Sequence, residues 1–279
     1  MRIIGIGDNV CDKYRTLSTM FPGGQALNVA VYCKQLGWDS AYLGAFGRDP
    51  VGEHVKKTLD ALGIDRSRCR EYDGENGYAV IDLVDGDRVF VTSNKGGVLR
   101  EHPLQLTEED LSYIAGFDLV HTSNNSYFDG EVHKLADLPV LVSYDFSYRW
   151  FEKERWPVVC PYLDFGFLSC SDLSDTETAQ LAKDIHAAGC KTVIATMGSR
   201  GAIVWDCEQL LPFQPTLVKA VDTLGAGDSF AAGFLTAWCA QRAEKKQPDL
   251  LACMEAGAAL SAKTCMVRGA FGHGCPIWP

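Results

Sequence analysis

Residues 221–234 read V-D-T-L-G-A-G-D-S-F-A-A-G-F, and Gly225 and Gly227 stand three and one positions before Asp228. From Phe230 onward the apolar residues recur at helical spacing, so the glycines lie at the start of a helix. The unpaired amides and the dipole at a helix N-terminus attract anions, and glycine lets an anion approach the backbone closely. The stretch therefore predicts a glycine turn that holds an anion beside a carboxylate.

Two interpretations of Asp228 follow from these residues alone. An aspartate at the start of a helix commonly caps the helix. Alternatively, a carboxylate next to an anion site serves as a general base, which accepts the proton of a hydroxyl attacking phosphorus while the amides stabilise charge on the phosphoryl oxygens. The second interpretation predicts phosphoryl transfer, a reaction that needs mainly positioning and electrostatics from the protein.

Around this stretch, short apolar runs alternate with helical patterns, which favours an α/β fold with a mostly parallel sheet covered by helices on both faces. The predicted strands are residues 2–7, 41–46, 117–121, 139–145, 164–168 and 191–196. Two predicted helices show one apolar face each, formed by Ala26, Val29, Ala30 and Cys33 and by Val51, Val55, Leu59 and Leu62.

One region departs from this alternation. Residues 78–84 and 88–92 are β-type runs around Asp85-Gly86, a strong hairpin signal. We expect a small β lid over a cleft, built from segments near 11–20 and 78–100. Residues 1–279 are interpreted as a single domain that carries this lid.

Composition narrows the class of protein. The formal charge of -10, spread along the 279 residues, disfavours nucleic-acid binding. The N-terminus does not resemble a signal peptide, and no run reaches the length of about 18 apolar residues that spans a membrane. We therefore expect a cytoplasmic protein without membrane partners. The 11 scattered cysteines lack a C-x-x-C pair, which predicts reduced, mostly buried thiols.

Two further glycine clusters are candidate binding segments. Gly23 and Gly24 precede a helix that carries Asn28, which fits a small-molecule site or a plain turn. Residues 196–201, T-M-G-S-R-G, follow a buried strand, which places them at the ligand-binding edge of a parallel sheet or in a hairpin turn. The chain lacks a Walker lysine motif, and Val10 breaks a G-x-G-x-x-G dinucleotide fingerprint, which disfavours a Rossmann dehydrogenase.

Four motifs together resemble those of the PfkB-type, ribokinase-like carbohydrate kinases, in that family's order and over nearly the whole chain. They are the Gly23-Gly24 cluster with Asn28, G-R-D-P-V-G at 47–52, T-M-G-S-R-G at 196–201 and D-T-L-G-A-G-D at 222–228. The resemblance implies a central, mostly parallel sheet flanked by helices, a small β-sheet lid, and MgATP-dependent phosphorylation of a sugar hydroxyl.

The resemblance also implies roles for single residues. The catalytic base would be Asp228, beside an anion hole formed by the amides of Gly225, Ala226 and Gly227. The residues implied to bind the sugar are Asp12, Gly23, Gly24 and Asn28. The residues implied to line the ATP site are Thr196, Gly198 and Gly201, with adenine near the helix around 256–263.

Segments such as Y-D-F-S-Y-R-W and P-Y-L-D-F-G-F are most similar to family members that act on a glycated amino acid. This similarity implies transfer of the γ-phosphate to O6 of the sugar of an Amadori compound of lysine. Arg88 or Arg149 would then meet the carboxylate of the lysine arm, although solvated surface arginines are the plainer interpretation. Alternatives are another ketose, ribose or nucleoside kinase, or a non-catalytic sugar sensor on the same fold, which an intact Asp228 disfavours.

The chain departs from the family at the N-x-x-E motif that helps to organise magnesium. Residues 169–178 read S-C-S-D-L-S-D-T-E-T instead. Asp172, Asp175 or Glu177 would act through water, or Ser174 or Asp175 would cap a helix, so the metal-binding residues stay unknown. The resemblance further suggests a homodimer formed through the lid and leaves the need for a monovalent cation open.

Overall fold

A computed structural model describes residues 1–84, 87–206 and 208–277; the side chains at positions 83, 84, 87 and 88 are outside this description. The described strands are β1 (Arg2–Gly7), β2 (Val10–Tyr14), β3 (Thr19–Gly23), β4 (Asp39–Gly47), β5 (Arg70–Tyr72), β6 (Tyr78–Val84), β7 (Asp87–Ser93), β8 (Leu119–Ser123), β9 (Leu141–Ser147), β10 (Phe165–Ser169), β11 (Thr192–Thr196), β12 (Ala202–Trp205), β13 (Leu210–Phe213) and β14 (Cys275–Pro276). The described α-helices are α1 (Gln25–Gln35), α2 (Pro50–Ala61), α3 (Val98–Glu101), α4 (Glu108–Ile114), α5 (Trp156–Val159), α6 (Asp175–Ala187), α7 (Ala226–Ala243) and α8 (Leu250–Thr264).

Nine of the described strands form the large sheet, in the order β13-β12-β11-β10-β9-β8-β1-β4-β5. The strands from β11 to β5 run parallel, and β12 and β13 are antiparallel at one edge. All six strands predicted from apolar runs are present, which confirms the α/β class. The sequence patterns did not predict β5, a strand of only three residues.

Helices cover both faces of this sheet because successive strand residues point to opposite sides. In β1, for example, Ile3 packs into one core cluster with α1, α2, α7 and α8, whereas Ile4 and Ile6 pack into a second cluster on the other face. The first two predicted helices correspond to α1 and α2. Only Leu62 of the predicted faces lies just past its helix, as the C-cap of α2.

The small sheet has the order β14-β3-β2-β6-β7 and contains strands from both segments predicted to form the lid, so we call this sheet the lid. Its segments agree with 11–20 and with most of 78–100, but the strands end at Ser93 and α3 begins at Val98. The turn residues Asp85 and Gly86 lie outside the described residues. The lid also contains β14, near the C-terminus, which pairs with β3 and which the sequence patterns did not indicate.

Two predictions made from composition, on the cysteines and on membrane-spanning segments, can be compared with the structure. The ten cysteines in the described part of the chain are free thiols, and eight of them are buried. Within the same residues, no helix combines the length and the apolarity needed to cross a membrane.

Candidate active site

The predicted glycine turn lies at the N-terminus of α7, as its sequence indicated. Gly225 is the N-cap, with a left-handed φ of 75°, and Asp228 is the third residue of the helix. Within the described part of the chain, no side chain caps this helix. The Asp228 carboxylate is buried and its Oδ2 accepts a hydrogen bond from Asn28 Nδ2 at 2.6 Å. The structure therefore does not support the capping interpretation of Asp228.

The backbone in front of α7 has room for an anion. A Cβ atom built on Gly227 would meet no heavy atom of the described residues within 4 Å, so these residues leave the space over this helix end open. The Ala226 amide donates to the Thr223 carbonyl at 3.2 Å, within the turn. Of the three amides in the predicted anion hole, that of Ala226 is thus engaged locally in this conformation. The open space and the helix N-terminus fit a nucleotide phosphate.

The residues predicted to bind the sugar come together from three elements, β2, β3 and α1. A Cβ atom built on Gly23 would lie 3.0 Å from Asp12 Oδ2 and 3.6 Å from Asn28 Oδ1. Asn28 is buried and its Oδ1 has no hydrogen-bond partner among the described residues. A buried amide oxygen without a partner is costly, which fits a ligand hydroxyl donating to it. At Gly24, a φ of 117° and the nearby Asp8 carbonyl leave no space for a side chain.

Two further carboxylates border this site, and the sequence patterns assigned neither a role. Asp8 follows β1 and accepts hydrogen bonds from the amides of Gln25 and Ala26, so it caps α1 from outside the helix. Asp145 lies in β9, where its oxygens accept hydrogen bonds from Gln25 Nε2 at 2.9 Å and from the Ser147 amide at 2.7 Å. Buried carboxylates thus converge at the carboxyl ends of β1 and β9 and at the start of α7.

This convergence sets the proton affinities in the site. Burial raises the pKa of Asp145 to about 6. Burial also raises the pKa of Asp228 well above its usual range, helped by the charges of Asp145, Asp8 and Asp12, while the Asn28 hydrogen bond opposes the rise. A carboxylate whose pKa is raised is a stronger proton acceptor, which suits a general base.

The predicted nucleotide-binding segment joins β11 to β12. Thr196 ends β11, and its Oγ1 donates to the Leu168 carbonyl. Gly198 and Gly201 both have positive φ, at 60° and 95°, and the Met197 amide donates to the Gly201 carbonyl. The segment is therefore both a hairpin turn and part of the carboxyl edge of the parallel strands, so the two interpretations are compatible.

The acidic residues considered for magnesium are largely engaged elsewhere. Ser174 caps α6 in a capping box with Glu177, and Asp175 forms an ion pair with Arg200 at 2.5 Å. Asp172 is exposed. Within the described ranges, no group of three or more His, Cys, Asp or Glu side chains could hold a metal ion.

The structure describes the side chain of one of the two arginines predicted to meet a substrate carboxylate. The side chain of Arg88 lies outside the described part of the chain. Arg149 donates from Nε to Glu152 Oε1 at 2.6 Å, and its Nη2 contacts the same oxygen. Its guanidinium is thus paired within the protein, and its contact with a ligand stays a prediction.

Comparisons with known proteins identify a family model and relatives that match most of the chain. A model of the pfkB family of carbohydrate kinases matches residues 12–136 and 164–273, which is more than half of the chain. A fructosamine kinase of Bacillus subtilis (strain 168) is 43% identical over 99% of this chain and 95% of the relative. A fructoselysine 6-kinase of Escherichia coli (strain K12) is 36% identical over 95% of this chain and 98% of the relative.

Solved structures support the fold. A fructokinase from Vibrio cholerae O395, with fructose, ADP and calcium ion bound, superimposes with a TM-score of 0.76 at 23% identity, over 98% of this chain and 95% of that one. A ribokinase from Thermotoga maritima gives a TM-score of 0.72 at 19% identity, over 98% and 94% of the two chains. The architecture is therefore ribokinase-like.

Proposed function

The chain belongs to the pfkB family of carbohydrate kinases, and on this premise we propose that it transfers the γ-phosphate of ATP to the 6-hydroxyl of fructoselysine. The observation that carries the proposal is the 2.6 Å hydrogen bond between Asn28 and Asp228. It joins the predicted sugar site to the predicted catalytic base, at the point where the open end of α7 accommodates a phosphate.

The reaction then follows from the positions of the chain's own residues. Asp12, Gly23, Gly24 and Asn28 bind the sugar, and Asp228 accepts the proton of its 6-hydroxyl as the oxygen attacks the γ-phosphate of ATP. Amides of Gly225, Ala226 and Gly227 stabilise the charge on the transferred phosphoryl group. This role requires the Ala226 amide to exchange its bond to Thr223 for one to the phosphate. Closure of the lid excludes water from the site.

Support for fructoselysine as the substrate comes from the similar proteins. The relatives named for fructosamine and fructoselysine kinase activity cover almost the whole chain at 43% and 36% identity.

The same proposal includes ATP and Mg²⁺ as cofactors. Thr196, Gly198 and Gly201 line the ATP site at the carboxyl edge of the sheet, and the adenine base lies near residues 256–263, which belong to α8. Mg²⁺, when bound, would compensate the phosphate charge, and Asp172, which takes no part in the α6 capping box or the Arg200 ion pair, would hold it. A monovalent cation is a further cofactor to be tested.

We also propose that the protein is a cytoplasmic homodimer with small-molecule substrates and without nucleic-acid or membrane partners. The formal charge of -10 supports the exclusion of nucleic acid. The outer strand of the described lid, β7, exposes three consecutive apolar residues, which are Val89, Phe90 and Val91. Such an edge strand pairs readily with a second copy.

The test is an ATP-consumption assay over fructoselysine, psicoselysine, fructose, ribose and adenosine, with identification of the phosphorylated position. We expect the largest kcat/KM with fructoselysine and a 6-phosphate product. Asp228→Asn should lower kcat by about 10²–10⁴-fold with little change in ATP affinity, because a general base contributes this much. Preference for another sugar would overturn the substrate, and a near-wild-type kcat in the variant would overturn the role of Asp228.

A further inference from the structure

A hydrogen bond connects the lid to the segment that leads into the glycine turn. The Tyr14 hydroxyl, at the end of β2, donates to Asp222 Oδ2 at 2.7 Å, and both residues are buried. Tyr14 lies two residues after Asp12, so the two side chains share one face of β2. Asp222 lies three residues before Gly225. This buried hydrogen bond thus joins β2, the strand that carries Asp12 of the proposed sugar site, to the segment that leads into the anion-binding turn.

The Asp222 carboxylate is held from the turn side as well. Its Oδ1 accepts the Leu224 amide at 3.0 Å, and its Oδ2 accepts the Gly269 amide at 3.1 Å. The first of these bonds fixes the backbone directly before Gly225. Any displacement of the carboxylate therefore moves the peptide that precedes the N-cap of α7.

An apolar contact runs beside the polar one. Tyr14 packs edge-on against Phe21, with ring centroids 5.4 Å apart, in the lid cluster that also contains Ile81. Leu224 packs against this cluster and also against the large core that contains α7. Leu224 thus packs against the lid cluster, while the residues that follow it begin α7, the helix that carries Asp228.

We infer that Tyr14, Asp222 and Leu224 form a positioning unit that couples occupancy of the sugar site to the placement of the anion-binding amides. The inference rests on the proposed kinase reaction but not on the identity of the sugar. When Asp12 and Gly23 hold a sugar, β2 is fixed, Tyr14 fixes Asp222, and the Leu224 peptide sets the orientation of the turn. By thermodynamic reciprocity, bound nucleotide must strengthen sugar binding by the same factor.

The experiment measures this coupling directly. The dissociation constant of β,γ-imido-ATP with Mg²⁺ is determined by calorimetry with and without a saturating concentration of the sugar that the wild-type protein phosphorylates best. For the wild type we expect tighter nucleotide binding with sugar, by about 5–150-fold, the usual range of allosteric coupling. Tyr14→Phe should lower this ratio towards one and lower kcat, because the hydrogen bond that joins β2 to Asp222 is lost. Binding of sugar alone should change little.

Two further variants make the result decisive. Tyr78→Phe removes a hydroxyl from β6 of the same sheet and keeps the ring on which Lys13 stacks, so its ratio and kcat should equal those of the wild type. Leu224→Ala removes the apolar half of the unit and should also lower the ratio. A wild-type ratio near one, or an unchanged ratio in folded Tyr14→Phe and Leu224→Ala, would overturn the inference. A lower melting temperature with an unchanged ratio would assign these residues a purely structural role.

Discussion

Asp228, the proposed general base, must ionise in surroundings that disfavour negative charge, and this fixes the pH dependence that we expect for the reaction. Burial and the neighbouring charge of Asp145 raise its pKa well above its usual range, and the base acts only when deprotonated. Activity is therefore lost as the pH falls through this raised pKa, at a higher pH than for an ordinary carboxyl group of pKa about 4. Asp145→Asn removes the second-largest cause of the rise, so the acidic limb of the kcat/KM profile should move to lower pH.

The matched control is Glu244→Gln, which removes the same charge at the opposite end of α7. It should leave the acidic limb unchanged, because an exposed charge at that distance is screened. If Asp145→Asn and Glu244→Gln give superimposable profiles, the charge of Asp145 does not influence the base.

The residues of this site differ in how far the sequence predicts them. Asn28 and Asp228 belong to segments with glycines at defined spacing, whereas Asp12 was implied only by the family resemblance. The structure places all three around Gly23 and the start of α7. Asp8 and Asp145 are single aspartates at strand ends, a pattern shared with many loops. Their proximity depends on β1 and β9 ending at the same sheet edge, which only the strand order shows.

At the scale of elements, the turn that begins α7 contains two glycines that differ in the room they leave for a side chain. Gly225 has a φ of 75°, and a Cβ atom there would lie 2.4 Å from the Tyr32 hydroxyl. Gly227 lies inside the first helical turn, where a Cβ atom would meet open space. Gly225→Ala should therefore lower both the melting temperature and the activity. Gly227→Ala should keep or raise stability, by up to about 1 kcal/mol, because alanine favours helix.

Kinetic measurements on Gly227→Ala test whether ATP occupies the open space at Gly227. If the phosphate occupies it, the added methyl group clashes with ATP, and kcat/KM for ATP should fall at least about tenfold although the protein is no less stable. Thermal melting and steady-state kinetics on both variants provide the comparison. Wild-type kcat/KM in Gly227→Ala would show that ATP does not use this space.

The elements themselves were predictable to the extent that their own residues determine them. Buried parallel strands are continuous apolar runs, and amphipathic helices repeat at 3.6 residues, so the core of the large sheet follows from local patterns. The strand β14 has two residues, Cys275 and Pro276, and forms only because β3 offers an edge. Its place in the lid depends on a contact between distant parts of the chain, which periodicity does not encode.

At the scale of the whole molecule, the outer edge of the lid determines the expected assembly. Among the described strands β7 is the last of its sheet, and Phe90 in β7 is 65% exposed between two other exposed apolar residues. An isologous dimer would bury this strand against its copy.

We expect a homodimer in light scattering coupled to size exclusion and in sedimentation velocity, with Phe90→Ser shifting the protein towards monomer. Phe151→Ser is the matched control, since Phe151 is 56% exposed outside the lid and should leave the dimer intact. A wild-type monomer at all concentrations, or equal behaviour of the two variants, would contradict assembly through β7.

Because β2, which carries Asp12, lies in the same sheet as β7, the monomeric variant should also show a raised KM for the sugar, whereas its ATP affinity without sugar should stay unchanged.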